Sequence, residues 1–261
     1  MSGYQAFSAF YDALTADVDY AAWADYLQAV FARFGCEAHT VLDLACGSGS
    51  LSLELAARGM EVIGVDGSAD MLAIAREKAS DAGEDILFLC QDMRRLDLYG
   101  TVDGTVCLLD SLSHVLETDD LREIFRRLGL FIAPDGLLVF DVNTPHKHEV
   151  TLGDNAFVFE EDEFLCVWRN RYLPARKEVA MELDFFLQED EGGYTRYTDR
   201  VRERAYAMQT WKALLAEAGF DLLGVYGERS MEAPAADADR WVFVARNRAI
   251  GQRNMIEKRS I

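Results

Sequence analysis

The stretch Val41-Leu42-Asp43-Leu44-Ala45-Cys46-Gly47-Ser48-Gly49 constrains this chain more than any other part of it. An apolar strand runs straight into a glycine-rich turn, and a helical segment Leu51–Ala57 follows. That is the opening unit of a strand–helix–strand sheet. Glycines let backbone approach a ligand closely, because no Cβ stands in the way. Taken alone, the turn is shared with dinucleotide-binding folds and also fits a tight turn that holds nothing. Asp43 narrows the choice. A pyrophosphate site avoids a carboxylate inside the strand, whereas a ligand with an ammonium or sulfonium end is attracted to one.

The same rhythm continues. Strand-like Glu61–Val65 ends at Asp66-Gly67, and Ser68 can cap a helix through Met71, Leu72, Ala75 and Ala79. Ile86–Cys90 leads to Gln91-Asp92-Met93, Thr105–Leu109 to Asp110-Ser111, and a helix Leu121–Leu130 precedes strand Leu137–Asp141. Strands alternating with helices predict a doubly wound α/β sheet. Upstream, Trp23, Tyr26, Leu27, Val30, Phe31 and Phe34 share one face of a helix over 19–34 capped by Asp19, with a shorter helix around 6–14 before it. Residues 154–206 break the pattern with four strand-like runs, 156–159, 164–172, 179–187 and 194–206, which predict an antiparallel insertion after strand five. Helix 208–218 and strands 220–226 and 241–246 then resume the α/β pattern. The expected organisation is a helical cap (1–35), a core (36–145 and 207–247), a β insertion or lid (146–206) and a basic tail (248–261).

Composition removes several classes. The net charge of −19 hides a tail, residues 246–261, with five basic side chains against one acidic, which leaves −23 on the other 245 residues. Such a body repels phosphate backbones and anionic membrane, so nucleic acid is disfavoured as a partner. No apolar run approaches the roughly 20 residues that span a bilayer. The first twenty residues show neither the basic nor the apolar region of a signal peptide. Five scattered cysteines read as reduced thiols of a cytoplasmic protein. Four histidines give no obvious metal centre, and His146-Lys147-His148 reads as a loop after strand five.

Asp66 stands nineteen residues after Gly47, where an acidic side chain accepts from both hydroxyls of a ribose. Asp92 adds a third carboxylate at the same sheet edge and can accept from an exocyclic amine, with Met71, Leu72 and Met93 able to sandwich a ring. Three carboxylates at three successive strand ends are hard to explain as solubility alone.

The motifs DLACGSG, GVDGSADML, CQDMRRLDL and APDGLLVFDVNT, with the final strand pair GFDLLGVYGE and RWVFVARN, resemble the class I S-adenosylmethionine-dependent methyltransferases. FSAFYDALTADVDYAAWADYL, DSLSHV and DVNTPHK more narrowly resemble the YqeM-like group of small bacterial methyltransferases, and are also similar to sugar N-methyltransferases. The resemblance implies a Rossmann-like seven-stranded sheet with its last strand antiparallel. It implies S-adenosylmethionine held by Asp43, Ala45, Gly47, Gly49, Asp66, Gly67, Met71, Gln91, Asp92, Met93, Leu109 and Ser111. Tyr11 falls on the family tyrosine that closes over cofactor or substrate. Ala45 stands where the family has its first glycine. Arg200-Val201-Arg202 stands where relatives often carry a histidine.

Methyl transfer from sulfonium is an in-line displacement that depends chiefly on alignment in a dry pocket, with a base needed when the nucleophile carries a proton to lose. His114 is the candidate base because its ordinary pKa lies near neutrality. Tyr11 and Tyr206 are candidates for orienting the acceptor. The expected activity is methylation of an N or O atom of a small molecule, without a metal. The alternatives are a methyltransferase for tRNA or protein, and a non-catalytic binding module. A nicotinamide-dependent oxidoreductase is opposed by Asp43, and by Ser52 where the dinucleotide fingerprint wants its last glycine.

Overall fold

A computed structural model describes residues 10–161, 164–189 and 192–248. Seven strands form one sheet: β1 (Thr40–Leu44), β2 (Glu61–Asp66), β3 (Leu87–Cys90), β4 (Val102–Cys107), β5 (Ile132–Asn143), β10 (Phe220–Tyr226) and β11 (Arg240–Asn247). Their order is β10-β11-β5-β4-β1-β2-β3. β11 runs antiparallel to both neighbours and the other pairs are parallel. This is the α/β architecture the sequence implies. The chain winds outward from β1 to β3 and then returns to β4 on the other side of β1. Loops therefore part at the carboxyl ends of β1 and β4, where ligands bind in such sheets.

Both faces are covered, so the central strands read as continuous apolar runs. On one face lies α1 (Tyr20–Arg33), which buries Trp23, Leu27, Val30 and Phe31 against Val41, Val106 and Val139. Asp19 caps it by accepting from Ala22 N–H at 2.9 Å, as its position ahead of the apolar stripe predicts. α2 (Ser50–Ala57) packs beside α1, and α3 (Ala69–Ala82) is capped by Ser68 at Met71 N–H. On the other face, α4 (Thr118–Phe131) and α5 (Met208–Glu217) close over Phe140 and Phe243, which stack at 4.9 Å with Phe125 and Trp211 around them.

Two of the differences from the expected strand boundaries have a clear backbone cause. β4 stops at Cys107, because Leu109 and Asp110 take positive φ (55° and 53°) and turn the chain away. β5 starts five residues early, because Ile132 already pairs with Val102 across a register shift.

Between β5 and α5 the chain makes a second, antiparallel sheet of β6 (Ala156–Glu160), β7 (Phe164–Leu173), β8 (Glu178–Gln188) and β9 (Tyr194–Arg204), in that order. One face buries Cys166, Leu183 and Phe185 against Phe10, Ala13 and Leu14. The other carries a ladder in which Arg169 and Arg196 pair with Asp184, and Arg200 with Glu182. No helix among the described residues is long and apolar enough to cross a membrane. Of the expected basic tail only Arg248 is described, and it pairs with Asp135 and Asp221. Residues 249–261, and 6–9 of the short first helix, lie outside the described residues.

Arg240 is the clamp between β11 and the loop after β4. Its guanidinium binds Asp141, which is fully buried, and Asp110 at 2.9 Å. Burial alone would raise the Asp110 carboxyl, but Arg240, Lys147 and His114 together outweigh it and hold the group at about 2. Breaking a buried pair from one side costs roughly 3–5 kcal/mol. Arg240→Met is therefore expected to lower the unfolding free energy by about that amount in urea, because it strands two carboxylates.

Candidate active site

At the carboxyl edge, β1 ends in a turn in which Ala45, Gly47 and Gly49 all have positive φ (61°, 55° and 77°). Gly49 is required by packing: a Cβ there would meet Ala75 Cβ at 2.9 Å, so the turn can lie flat on α3 only without one. Ala45 adopts a left-handed conformation that costs an L-residue about 1–2 kcal/mol, the physical reason the family prefers glycine there.

Asp66 fastens this turn. Its Oδ2 accepts from Gly47 N–H at 2.9 Å and its Oδ1 from Ser68 N–H at 2.8 Å, while its carbonyl accepts from Gln91 N–H at 2.9 Å. Each carboxylate oxygen keeps a further lone pair for a ligand hydroxyl. Asp43 is buried and accepts from Ser52 Oγ at 2.6 Å. Burial pushes its carboxyl up to about 7, against the pull of the Ser52 hydroxyl and with a further push from the Asp66 charge. The serine that counts against a dinucleotide site is thus the partner of the buried aspartate.

An open cavity lies above the turn. Its walls bring together five of the sequence candidates, Tyr11, Asp43, Ala45, Leu109 and Ser111. Ser48 of the same turn also lines it, as do Tyr20 and Trp23, which were not sequence candidates because α1 reaches the cavity only through the tertiary fold. Ser48 Oγ donates to Asp12, and Lys78 Nζ lies 2.6 Å from the same carboxylate, so the segment carrying Tyr11 is latched onto the glycine turn. Burial, then Tyr20 and the carboxylates of Asp110, Asp66 and Asp12, hold the Tyr11 hydroxyl above its ordinary range. Tyr11 is therefore a neutral hydrogen-bonding group and not a base.

The remaining candidates lie along the same edge, outside this cavity. Gly67 follows Asp66, and its Cα faces the carbonyl of Gln91. The Gln91 side chain clips the following loop, donating to the Asp97 carbonyl at 3.0 Å and accepting from Asp97 N–H at 2.9 Å. Asp92 caps the turn Met93–Arg95 and is gripped by Arg94, which lowers its carboxyl. Met93 packs at the rim of the main core, and Met71 is buried in the first turn of α3.

His114 ends the turn Ser111–His114 and is about half exposed. Its Nε2 lies 3.7 Å from Glu203 Oε1, and donor atoms of Asp110, His114 and Glu203 all fall within 4.8 Å of one another. Arg240 is shared between Asp110 and the buried Asp141, so the cluster keeps a negative balance beside an imidazole that can take a proton. Glu203 had no sequence signal, since it is some ninety residues downstream on β9. His148 lies in the turn after strand five and is fully buried, with Nε2 3.1 Å from Glu203 Oε2. Tyr206 is not brought to the site. It is buried in the core, edge-on to Trp211, and its hydroxyl donates to the Val115 carbonyl at 2.8 Å, so its role is to fasten the loop after His114.

Two outcomes follow from Asp43 and Ala45. Folded Asp43 keeps its proton up to about 7, whereas the unfolded chain releases it in the ordinary carboxylate range. The folded state therefore binds more protons between those limits, and this group's contribution to stability falls as pH rises through them. Asp43→Asn should flatten that part of a pH–stability curve measured by denaturant unfolding. Ala45→Gly should stabilise by up to ~1 kcal/mol in the same assay, the left-handed cost less the added chain entropy of glycine.

The model of the methyltransferase domain family matches residues 41–136. YqeM of Bacillus subtilis (strain 168), named as a candidate methyltransferase, is 31% identical over 93% of this chain and 96% of its own length. A glycine/sarcosine N-methyltransferase of Halorhodospira halochloris is 27% identical over 78% of this chain and 74% of its own. The crystal structure of an S-adenosylmethionine-dependent methyltransferase from Clostridium acetobutylicum ATCC 824 matches with a TM-score of 0.84 and 28% identity, covering 93% of this chain and 98% of that one. With a sulfonium-compatible cavity at the switch point of a matching sheet, the chain belongs to the S-adenosylmethionine-dependent methyltransferases.

Proposed function

We propose that this methyltransferase acts on an amine nitrogen of a small molecule, with His114 as the base and the second sheet as the lid that selects the acceptor. The observation that carries the reading is the cluster of His114, Asp110 and Glu203 beside the cavity. An amine arrives at neutral pH largely as an ammonium ion. A rim with two carboxylates attracts that charge, and an imidazole can remove the proton the nitrogen must lose before it attacks. The glycine/sarcosine N-methyltransferase relative supports a nitrogen acceptor of this size. The strongly negative body supports a small molecule over tRNA.

The residues fit the cofactor. Asp43 is a buried carboxyl whose proton is held up to about 7 for want of a counter-charge, and it lines the open cleft above the turn. In this reading Asp43 and the turn from Ala45 to Gly49 hold the methionine part. Asp66 adds the ribose hydroxyls to its two backbone donors. Gly67, Met71, Gln91, Asp92 and Met93 border the adenine, and Asp92 would share its carboxylate between Arg94 and the adenine amine. Leu109 and Ser111 wall the side nearest the acceptor. Bound S-adenosylmethionine supplies a methyl group on a positively charged sulfur that departs as a neutral thioether. The chain's own work is to hold the acceptor in line, exclude water and take a proton at His114. Tyr11, latched over the turn through Asp12, closes the cavity from above.

Calorimetric titration with S-adenosylmethionine tests the cofactor site, and mass spectrometry of a panel of amines and alcohols tests the acceptor. Hydrogen bonds to a charged group are each worth ~1.5–3 kcal/mol, so Asp66→Ala should weaken binding by about 100-fold. Methylated amines, with turnover reduced by about 100-fold or more in His114→Gln, are expected. Methylation confined to alcohols, or unchanged turnover without His114, would overturn the reading.

A further inference from the structure

Glu203 is a buried carboxylate with a divided set of partners. Its Oε2 accepts from Asn143 Nδ2 at 2.8 Å and faces His148 Nε2 at 3.1 Å, and both partners are buried. Its Oε1 faces His114 Nε2 at 3.7 Å. A buried carboxylate is tolerated only when donors converge on it. The Asn143 amide nitrogen can only donate, and an imidazole nitrogen turned toward a carboxylate must carry its hydrogen. Oε2 is thereby filled from the core side, and Oε1 is left pointing toward His114.

We propose that Glu203 is a positioning residue that fixes the neutral His114 ring as its Nε2–H tautomer and so leaves the Nδ1 lone pair for the acceptor's proton. The inference rests on the reading of His114 as the base. A neutral imidazole has one N–H and one lone pair, so whichever nitrogen faces Glu203 decides which one can take a proton. When the acceptor's N–H bond breaks, its electron pair stays on the acceptor nitrogen and the proton forms a new bond to Nδ1. The positive ring then lies beside the Glu203 charge, and its half-exposed edge lets the proton leave to water. A contact of 3.7 Å is longer than a hydrogen bond, and such contacts tighten when the substrate complex forms. Asn143 and His148 keep the carboxylate from rotating away.

A purely structural Glu203, one that merely ties β5 to the turn Lys147–Leu152, would leave the tautomer of His114 indifferent. The four histidines of the chain make long-range nitrogen–proton NMR spectra tractable, with His114 assigned by its loss in His114→Gln. At a pH where the rings are neutral, the wild-type protein should show His114 protonated on Nε2. In Glu203→Gln the carboxamide can keep its oxygen toward Asn143 and His148 and turn its NH₂ toward His114. That change should switch His114 to the Nδ1–H form while the midpoint of thermal unfolding moves by no more than about 3 °C. An Nδ1–H ring or a mixture of tautomers in the wild type overturns the proposal, and so does an unchanged tautomer in Glu203→Gln. If Glu203→Gln does not fold, the wild-type spectrum decides alone. These spectra need no acceptor, so their failure is distinct from a failure of the amine screen or of the His114→Gln turnover assay.

Discussion

The carboxyl ends of β1, β2 and β3 are held together by one residue, Asp66. Through its two oxygens and its carbonyl it joins the ends of β1, β2 and β3, accepting from Gly47, Ser68 and Gln91. Backbone N–H groups in a tight turn have no ladder partner and must find one or remain unpaired. Asp66 meets that need and sets the height of the glycine turn over α3. Its carboxylate is thus structural before it is functional, and ligand hydroxyls come to lone pairs already aimed.

A second theme is how negative charge is arranged around the cavity. Asp43 is buried with only a serine donor, whereas Asp110 and Asp141 share Arg240. The two cases take opposite directions: Asp43 is pushed up to about 7 and Asp110 is held at about 2. Arg240 helps keep Asp110 ionised, whereas Asp43 keeps its proton up to about 7 and gives it up more readily once a cation enters beside it. The positive φ angles of Leu109 and Asp110 belong to the same device, since a left-handed pair of non-glycine residues persists only where its surroundings over-determine it. Here the surroundings are the Arg240 clamp and the Asp141 carboxylate that faces Asp110 N–H.

Much of this was legible in the sequence where the signal is local. The caps Asp19 and Ser68, the strand-to-glycine transition at Ala45, and the carboxylates at strand ends all follow from spacing within a few residues. What was not legible depends on which distant segments meet. Tyr206 resembled a site residue because a polar-tipped ring near a loop looks available, yet core packing against Trp211 claims it. His148 falls in the loop after strand five as expected, but nothing local shows that this turn folds inward to meet β9. Glu203 and Arg240 carried no local mark, and their importance comes from register across two sheets. The end of β4 was misjudged because nothing in Leu109 or Asp110 announces a left-handed backbone.

The second sheet leaves the core after Asn143 and returns through Ala205-Tyr206, and both seams are pinned. Asn143 binds Glu203, Thr144 N–H donates to the Asp239 carbonyl, and Arg204 and Tyr206 donate to the carbonyls of Leu116 and Val115. Most of β6 to β8 is free of these ties, whereas Glu203 and Arg204 at the end of β9, and its exit, are tied to the core. A graft that exchanged this sheet between relatives would therefore recombine cleanly only if its downstream crossover fell before Glu203. Placed after it, the same exchange would import a foreign partner for His114 along with the new walls.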